Sequence, residues 1–320
     1  VCPDLQRWES YGSSAWADAS VIVPYQVYAA YGDKTIIEEQ FESMKKWIDF
    51  MENNGTEKGL FDAHEHHFGD WLSLDAGNEA TGGLTDKNLI GSAYLAYSNS
   101  LFIKMGKAIG KDMSYYEDLY EHSIKAYRKK FLNTGKTEHE TQTSNVLALH
   151  FNLTDNRERE AEKLVKDIEA CGHLKTGFVG TPYLLHTLTE IGRADLAYKL
   201  LLRKEFPSWL FPVTKGSTTM WERWDGMKED GSFATPEMNS FNHYAYGSVG
   251  DWLYKTVAGI DYDINEPGYK HIIFRPLPCK ALGYAKARII TDNGDIISGW
   301  EYTGKGNECK FTFTIPNGCH

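Results

Sequence analysis

Cysteine is scarce and unpaired in this sequence. The five residues Cys2, Cys171, Cys279, Cys309 and Cys319 are an odd number with no Cys-x-x-Cys pair among them. Neither a disulfide framework nor a structural zinc site is indicated. No apolar run approaches the roughly 18 residues of a membrane span. Positive charge is in deficit, with 34 Lys and Arg against 44 Asp and Glu and a formal net charge of −10. Nucleic acid or an anionic membrane needs clustered basic residues, so neither is expected as the main partner. The Gly-x-Ser-x-Gly elbow, the phosphate-binding loop and the dinucleotide fingerprint are all missing, and no cofactor is implied. His64-Glu65-His66-His67 invites a metal reading. Position 68 is Phe, however, so the His-Glu-x-x-His spacing fails and no metal is expected.

The apolar fraction of 42 % and charged fraction of 24 % are those of a globular protein with a substantial core. A chain of 320 residues has room for one large domain and a small one. Aromatics reach 13 %, with 9 Trp and 19 Tyr. Aromatic faces stack on sugar rings, although such residues also fill cores.

From Asp18 to about Gly259 the dominant period is helical. Helices are predicted near 18–31, 35–53, 86–109, 115–132, 141–151, 156–171, 182–191, 194–203 and 241–258. Asp33 reads as one N-cap, Ser114/Glu117 and Asp155/Glu158 as capping boxes, and Thr181-Pro182 as N-cap and N1. Short connections near Gly32, Asp112, Leu153 and Gly192 alternate with long ones at 1–17, 54–85, 133–140, 172–181 and 204–240. Short loops make antiparallel hairpins. Successive hairpins put every long loop on one end of the body. That pattern fits an all-α (α/α)6 barrel, here an incomplete toroid, because twelve helices would close it. An α-solenoid shares the hairpins, but the chain has no fixed repeat. An open ring would leave an apolar helix face uncovered, which favours association into a homo-oligomer.

After Gly259 the texture changes. Residues 269–275, 285–291, 296–302 and 309–315 alternate like strands around Asn293-Gly294 and Gly304-Lys305-Gly306 turns. The expected division is a helical domain over 1–265 and the start of a C-terminal β-sandwich over 266–320. The chain opens on Val1 without a leader pattern and stops at His320 just after a strand-like run. It reads as a fragment, and the compartment, cytoplasmic or secreted, is left open.

The long loops hold the unusual residues. Glu222 lies between Trp221 and Trp224 in Trp-Glu-Arg-Trp. Such a carboxylate resembles a sugar-hydrolase base beside stacking platforms; the alternative is an ordinary ion pair with Arg223 or another basic group. His243, in Asn239-Ser240-Phe241-Asn242-His243, could donate to a sugar hydroxyl or be a satisfied structural histidine. Trp16 and Asp18 open the first helix, where Asp18 could simply complement the helix dipole. Asp70-Trp71 repeats the acid/tryptophan pairing in the next long loop, where a turn with a buried Trp is the alternative. Glu138 and Glu140 read as solvated charge.

Taken together, GSSAWADASVIVP (12–24), GDWL (69–72), GFVGTPYLL (177–185), the Pro-Ser-Trp of 198–214, MWERWDGMKEDG (220–231) and NSFNHYAYGSVGDWLYKTVAGI (239–260) resemble glycoside hydrolase family 78, the α-L-rhamnosidases. The resemblance covers nearly the whole length. It implies an (α/α)6 barrel and hydrolysis of rhamnosides with inversion, one acid protonating the leaving oxygen while another activates water. It makes Glu222 the general base, Trp16 and Trp71 aromatic walls of the rhamnose pocket, and His243 a sugar contact. Asp18, Asp70, Trp221, Trp224 and Asn242 lie in the same motifs and are carried over as substrate-binding. The family's general acid sits in a Cys-Pro-containing segment upstream of the 12–18 match. Cys2-Pro3 lies too close to Trp16 and lacks the motif's Glu and second Asp, so the acid is expected before Val1 and the fragment alone is expected to be inactive. The partner implied is a rhamnose-containing glycoside. Another toroid glycosidase, or a carbohydrate-binding module without turnover, are the competing readings, separated by assaying aryl rhamnoside hydrolysis.

Overall fold

The computed structural model describes residues 12–62, 67–76, 81–133, 140–235, 237–304 and 306–320. Cys2, Pro3, His64, Glu65, His66 and Glu138 lie outside them. The chain divides into two compact units, one of Val1–Val21 with Glu42–Ser248 and one of Ile22–Phe41 with Val249–His320. Helices α1 (Ala19–Tyr31) and α2 (Thr35–Asn53) contribute to both. Along α2 the stripe Ile37, Phe41, Met44, Ile48 and Met51 is buried, as its spacing predicts. Asp33 accepts from the Thr35 N–H at 2.8 Å.

In the first unit, α3 (Lys87–Ala108), α5 (Gln142–His150) and α7 (Thr181–Glu190) pack in series. Each pairs with the helix that follows it: α4 (Ser114–Tyr127), α6 (Arg157–Cys171) and α8 (Ala194–Leu202). The sequence explains the two layers. α5 is buried at every position from Gln142 to Leu149, and α3 from Leu89 to Leu95 without interruption. Side chains enclosed all round suit an inner helix. α6 buries only Glu160, Leu164 and Ile168, one stripe of an outer amphipathic helix. A short α9 (Leu210–Thr214) lies inside the long loop where no element was predicted.

Several ends differ from prediction. Asp86, predicted as the first helical residue, is instead the N-cap of α3, accepting from Asn88 and Leu89 N–H. Ser114 and Glu117 form no capping box. Asp112 accepts the Ser114 N–H, and Glu117 pairs with Lys107. Asn156, not Asp155, caps α6. Gly180 takes the N-cap of α7, with Thr181 already helical. Gly172 and Gly192 close their helices in left-handed conformation, where glycine avoids a Cβ clash. Glu140 is ion-paired with Lys163 at 2.6 Å.

In the second unit the predicted helix 241–258 starts late and is mixed. α10 (Val249–Trp252) follows the 3₁₀ turn Ala245–Ser248 of the first unit and runs into the π-turn Leu253–Val257. β1 (Ile260–Tyr262) pairs antiparallel with β2 (Ile272–Phe274). β3 (Tyr284–Thr291), β4 (Gly294–Tyr302) and β5 (Cys309–Thr314) form an antiparallel sheet with β4 central. Ile260, Ile272 and Ile296 make its small core, and Trp300 Nε1 donates to Val257 O at 2.7 Å. Cys171, Cys279, Cys309 and Cys319 are free thiols. No helix among the described residues is long and apolar enough to cross a membrane.

Candidate functional site

All nine residues singled out from the sequence lie in the first unit, in its long loops. These loops hydrogen-bond to one another, as hairpin alternation predicts. Phe68 N–H donates to Ser13 Oγ, Leu74 N–H to Lys175 O, Thr85 meets Thr141, and Tyr246 Oη donates to Leu72 O.

Asp18 stands at the start of α1 and is fully buried. Its carboxylate accepts from Ala15 N–H (2.8 Å), Trp47 Nε1 (2.9 Å) and Ser98 Oγ (2.5 Å). Burial raises its pKa above the usual carboxylate range, against these hydrogen bonds. Trp16, two residues earlier, is half-buried and packs edge-on to Phe68, centroids 4.9 Å apart.

The second acid/tryptophan pair repeats the pattern. Asp70 is fully buried. Oδ1 accepts from Val179 N–H (2.8 Å) and Gly180 N–H (3.3 Å). Oδ2 accepts from Gly177 N–H (2.8 Å) and from Thr143 Oγ1. Burial pushes its pKa to about 6, only partly offset by those donors. Trp71 is half-buried, packs edge-on to Phe68 at 5.9 Å, and accepts the Phe178 N–H on its carbonyl at 2.9 Å. Gly177 is required here, because a Cβ would come within 2.3 Å of the Trp71 carbonyl.

In Trp221–Trp224 the roles reverse. Trp221 and Trp224 are 4 % and 2 % exposed, packed on Phe241 and between Trp209 and Tyr246. Their rings are consumed by the core, which corrects the expectation of open stacking platforms. Glu222 is half-buried. Its N–H donates to Ser240 O and its Oε2 accepts from Ser240 N–H, both at 2.9 Å. Arg223 bonds Asp225 at 3.0 Å, so the neighbouring guanidinium's ion pair is made elsewhere than on Glu222. Asn242 is exposed, with its N–H on Ser240 Oγ.

His243 is tied to the same loop by its N–H to Met220 O at 2.9 Å. Its Nδ1 accepts from Ala245 N–H at 3.3 Å, which leaves Nε2–H as the donor of the neutral ring. The ring stacks on Phe178 at 5.1 Å. Trp16, Phe68, Trp71, Phe178, His243 and the Met220–Glu222 segment thus form one unbroken series of contacts. A cavity of about 310 Å3 is lined among others by Leu72 and Ser73, which follow Trp71 in the chain, by Arg223, Trp224 and Asp225, which follow Glu222, and by His173.

Phe178 and Tyr246 were assigned no role from the sequence, though both lie in motifs quoted above. The signal for Phe178 was an aromatic two residues before a glycine and a Thr-Pro helix start. His67, weighed from the sequence only as a metal ligand, has a structural hydrogen bond instead. Its Nδ1 accepts from Gly69 N–H at 2.9 Å, and burial lowers its pKa to about 4. Among the described residues, Glu266, His271 and His320 bring ligand atoms within 4.8 Å of one another. The two imidazoles are stacked at 13°, so their in-plane lone pairs do not converge on a common point.

The layered helical hairpins are matched by a known class of helical glycosidase domain. Residues 1–257 match the bacterial alpha-L-rhamnosidase six-hairpin glycosidase domain and residues 259–320 the bacterial alpha-L-rhamnosidase C-terminal domain. The chain belongs to the bacterial α-L-rhamnosidase family. It is 41 % identical over 299 residues to an alpha-L-rhamnosidase of Streptomyces avermitilis, covering 92 % of this chain and 28 % of that protein. It is 40 % identical over 308 residues to one of Formosa agariphila, covering 94 % and 33 %. The Streptomyces avermitilis enzyme, solved as a complex with L-rhamnose, superposes with a TM-score of 0.85 over 94 % of this chain and 28 % of that one, at 40 % identity. The native Aspergillus terreus alpha-L-rhamnosidase superposes with a TM-score of 0.92 over 100 % and 37 %, at 34 % identity. The chain therefore spans about a third of the length of the curated relatives it matches.

Proposed function

We propose that the protein removes terminal α-L-rhamnose from rhamnosides with inversion, in a helical domain over 1–265 that is part of an (α/α)6 barrel, followed by a β-sandwich domain from 266. The observation that carries this reading is the setting of Glu222. Its flanking tryptophans are locked in the core, while the carboxylate itself stays half-exposed, oriented by one backbone donor. A carboxylate held this way can take a proton from water as the water attacks the anomeric carbon. Trp16 and Trp71 supply half-exposed aromatic faces for the sugar's apolar side. His243 offers Nε2–H to a hydroxyl. Asn242, exposed in the same loop, contributes to binding. Asp18 and Asp70 support the site from beneath.

An inverting reaction also takes an acid on the opposite face, roughly 6.5–9.5 Å from the base. The family resemblance assigns it to the segment upstream of Gly12–Asp18. The test therefore uses the intact protein with an aryl α-L-rhamnoside, following the released sugar by proton NMR. The expected first product is β-L-rhamnose, which then mutarotates. α-L-rhamnose as first product, or no hydrolysis, would overturn the proposal.

A further inference from the structure

We propose that Asp70 is a positioning residue, a buried brace that sets Trp71 directly and His243 through Phe178 without itself touching substrate. This rests on the reading of Trp71 and His243 as walls of the rhamnose site. Four consecutive amides, Gly177 to Gly180, wrap this segment. Three donate to the Asp70 carboxylate and the fourth, Phe178, to the carbonyl of Trp71. Thr143 at the start of α5 completes the shell. Each carboxylate oxygen thus has two protein donors, about what its lone pairs accommodate, and the side chain is sealed from solvent. No position is left for a sugar hydroxyl.

The consequences reach the surface at two points. Trp71 is the next residue along the chain. Phe178, held between two braced amides, carries the ring on which His243 stacks, and meets Tyr246 edge-on at 5.2 Å. Tyr246 stacks on Trp224 at 3.9 Å, two residues from Glu222. One internal acid therefore joins segments 107 to 110 residues apart. Asparagine fits the space but turns an NH2 toward N–H donors, so it keeps the volume and breaks the brace.

The measurement is L-rhamnose affinity by calorimetry, on the intact protein and its variants. Trp71→Ala and His243→Ala test the site. If wild type does not bind L-rhamnose, or these variants bind as wild type does, the site reading fails whatever Asp70 does. With those controls in order, Asp70→Asn is expected to weaken binding by about ten- to a hundredfold, the effect of a small misplacement of binding groups. Phe178→Leu, which leaves every hydrogen bond to Asp70 in place, is expected to weaken it by about three- to tenfold. The double variant should lose less than the product of the two, because both act through His243. A variant that is merely less stable, but folded at the assay temperature, binds as wild type does. Wild-type affinity in folded Asp70→Asn would overturn the proposal. If that variant does not fold, wild-type affinity in Phe178→Leu overturns it alone.

Discussion

In Gly69–Leu72 the acid is buried and the tryptophan half-exposed, whereas in Trp221–Trp224 the tryptophans are buried and the acid half-exposed. The two segments use the same residue types next to each other, with the burial exchanged. Asp70 has four protein donors, and Glu222 takes its hydrogen bond from Ser240 N–H. A carboxylate saturated by buried donors has no lone pair left for chemistry and serves the scaffold. One held at a single oxygen is oriented and still able to accept a proton. Trp16-Ala17-Asp18 follows the Asp70 pattern, with its acid buried on Trp47 and Ser98.

The contrast is broken most forcefully at Glu222. In the intact protein Glu222→Gln should lower kcat by about 10²–10⁴-fold, some 3–5 kcal/mol of barrier, with L-rhamnose affinity retained. Turnover near wild type would remove it from the base role.

Next in size is the exchange of the tryptophans. Trp224→Ala empties a core position between Trp209 and Tyr246 and should cost about 3–5 kcal/mol of stability in chemical unfolding. Trp71→Ala should cost well under half of that and lose sugar affinity instead. Equal stability losses would erase the distinction.

The acid pair also has a neighbour with a pH signature. In the unfolded chain His67 takes a proton near its ordinary 6.5, but in the folded protein only near 4. Between these values the unfolded state holds more protons, so stability present above pH 6.5 is lost as the pH falls toward 4, by up to about 3 kcal/mol. Asp70, raised to about 6, contributes with the opposite sign over part of this window. The test is therefore the difference between wild type and His67→Gln, which should shrink on acidification. A difference independent of pH would contradict the assignment.

Smallest is the Arg223–Asp225 pair, with side chains 19 % and 26 % exposed. Arg223→Met should cost about 1 kcal/mol or less and leave kcat within a few-fold. A loss approaching that of Glu222→Gln would mean that the guanidinium serves the base after all.

Long helices were legible because periodicity and glycine stops agree along α2, α3 and α6, with an acid before α2 and α3 accepting from the first turn. α9 was not, being five residues with Pro212 inside a loop rich in turn signals. β1 was not legible as a strand, because three residues after Gly259 carry no alternation. The site motifs were legible as acid/tryptophan pairs. Which member faces inward was not, since neighbours in a loop have no fixed period to assign their faces. The role of Phe178 was hidden for another reason: it exists only through Asp70 and His243, far away in the chain.

The reversal of buried acid and buried tryptophan is tested most directly by chemical unfolding of the intact protein with Asp70→Asn and Glu222→Gln measured side by side. Breaking a saturated buried carboxylate should cost about 2–4 kcal/mol, and changing one held by a single backbone donor no more than about 0.5 kcal/mol. Equal losses, or the larger loss in Glu222→Gln, would contradict the account.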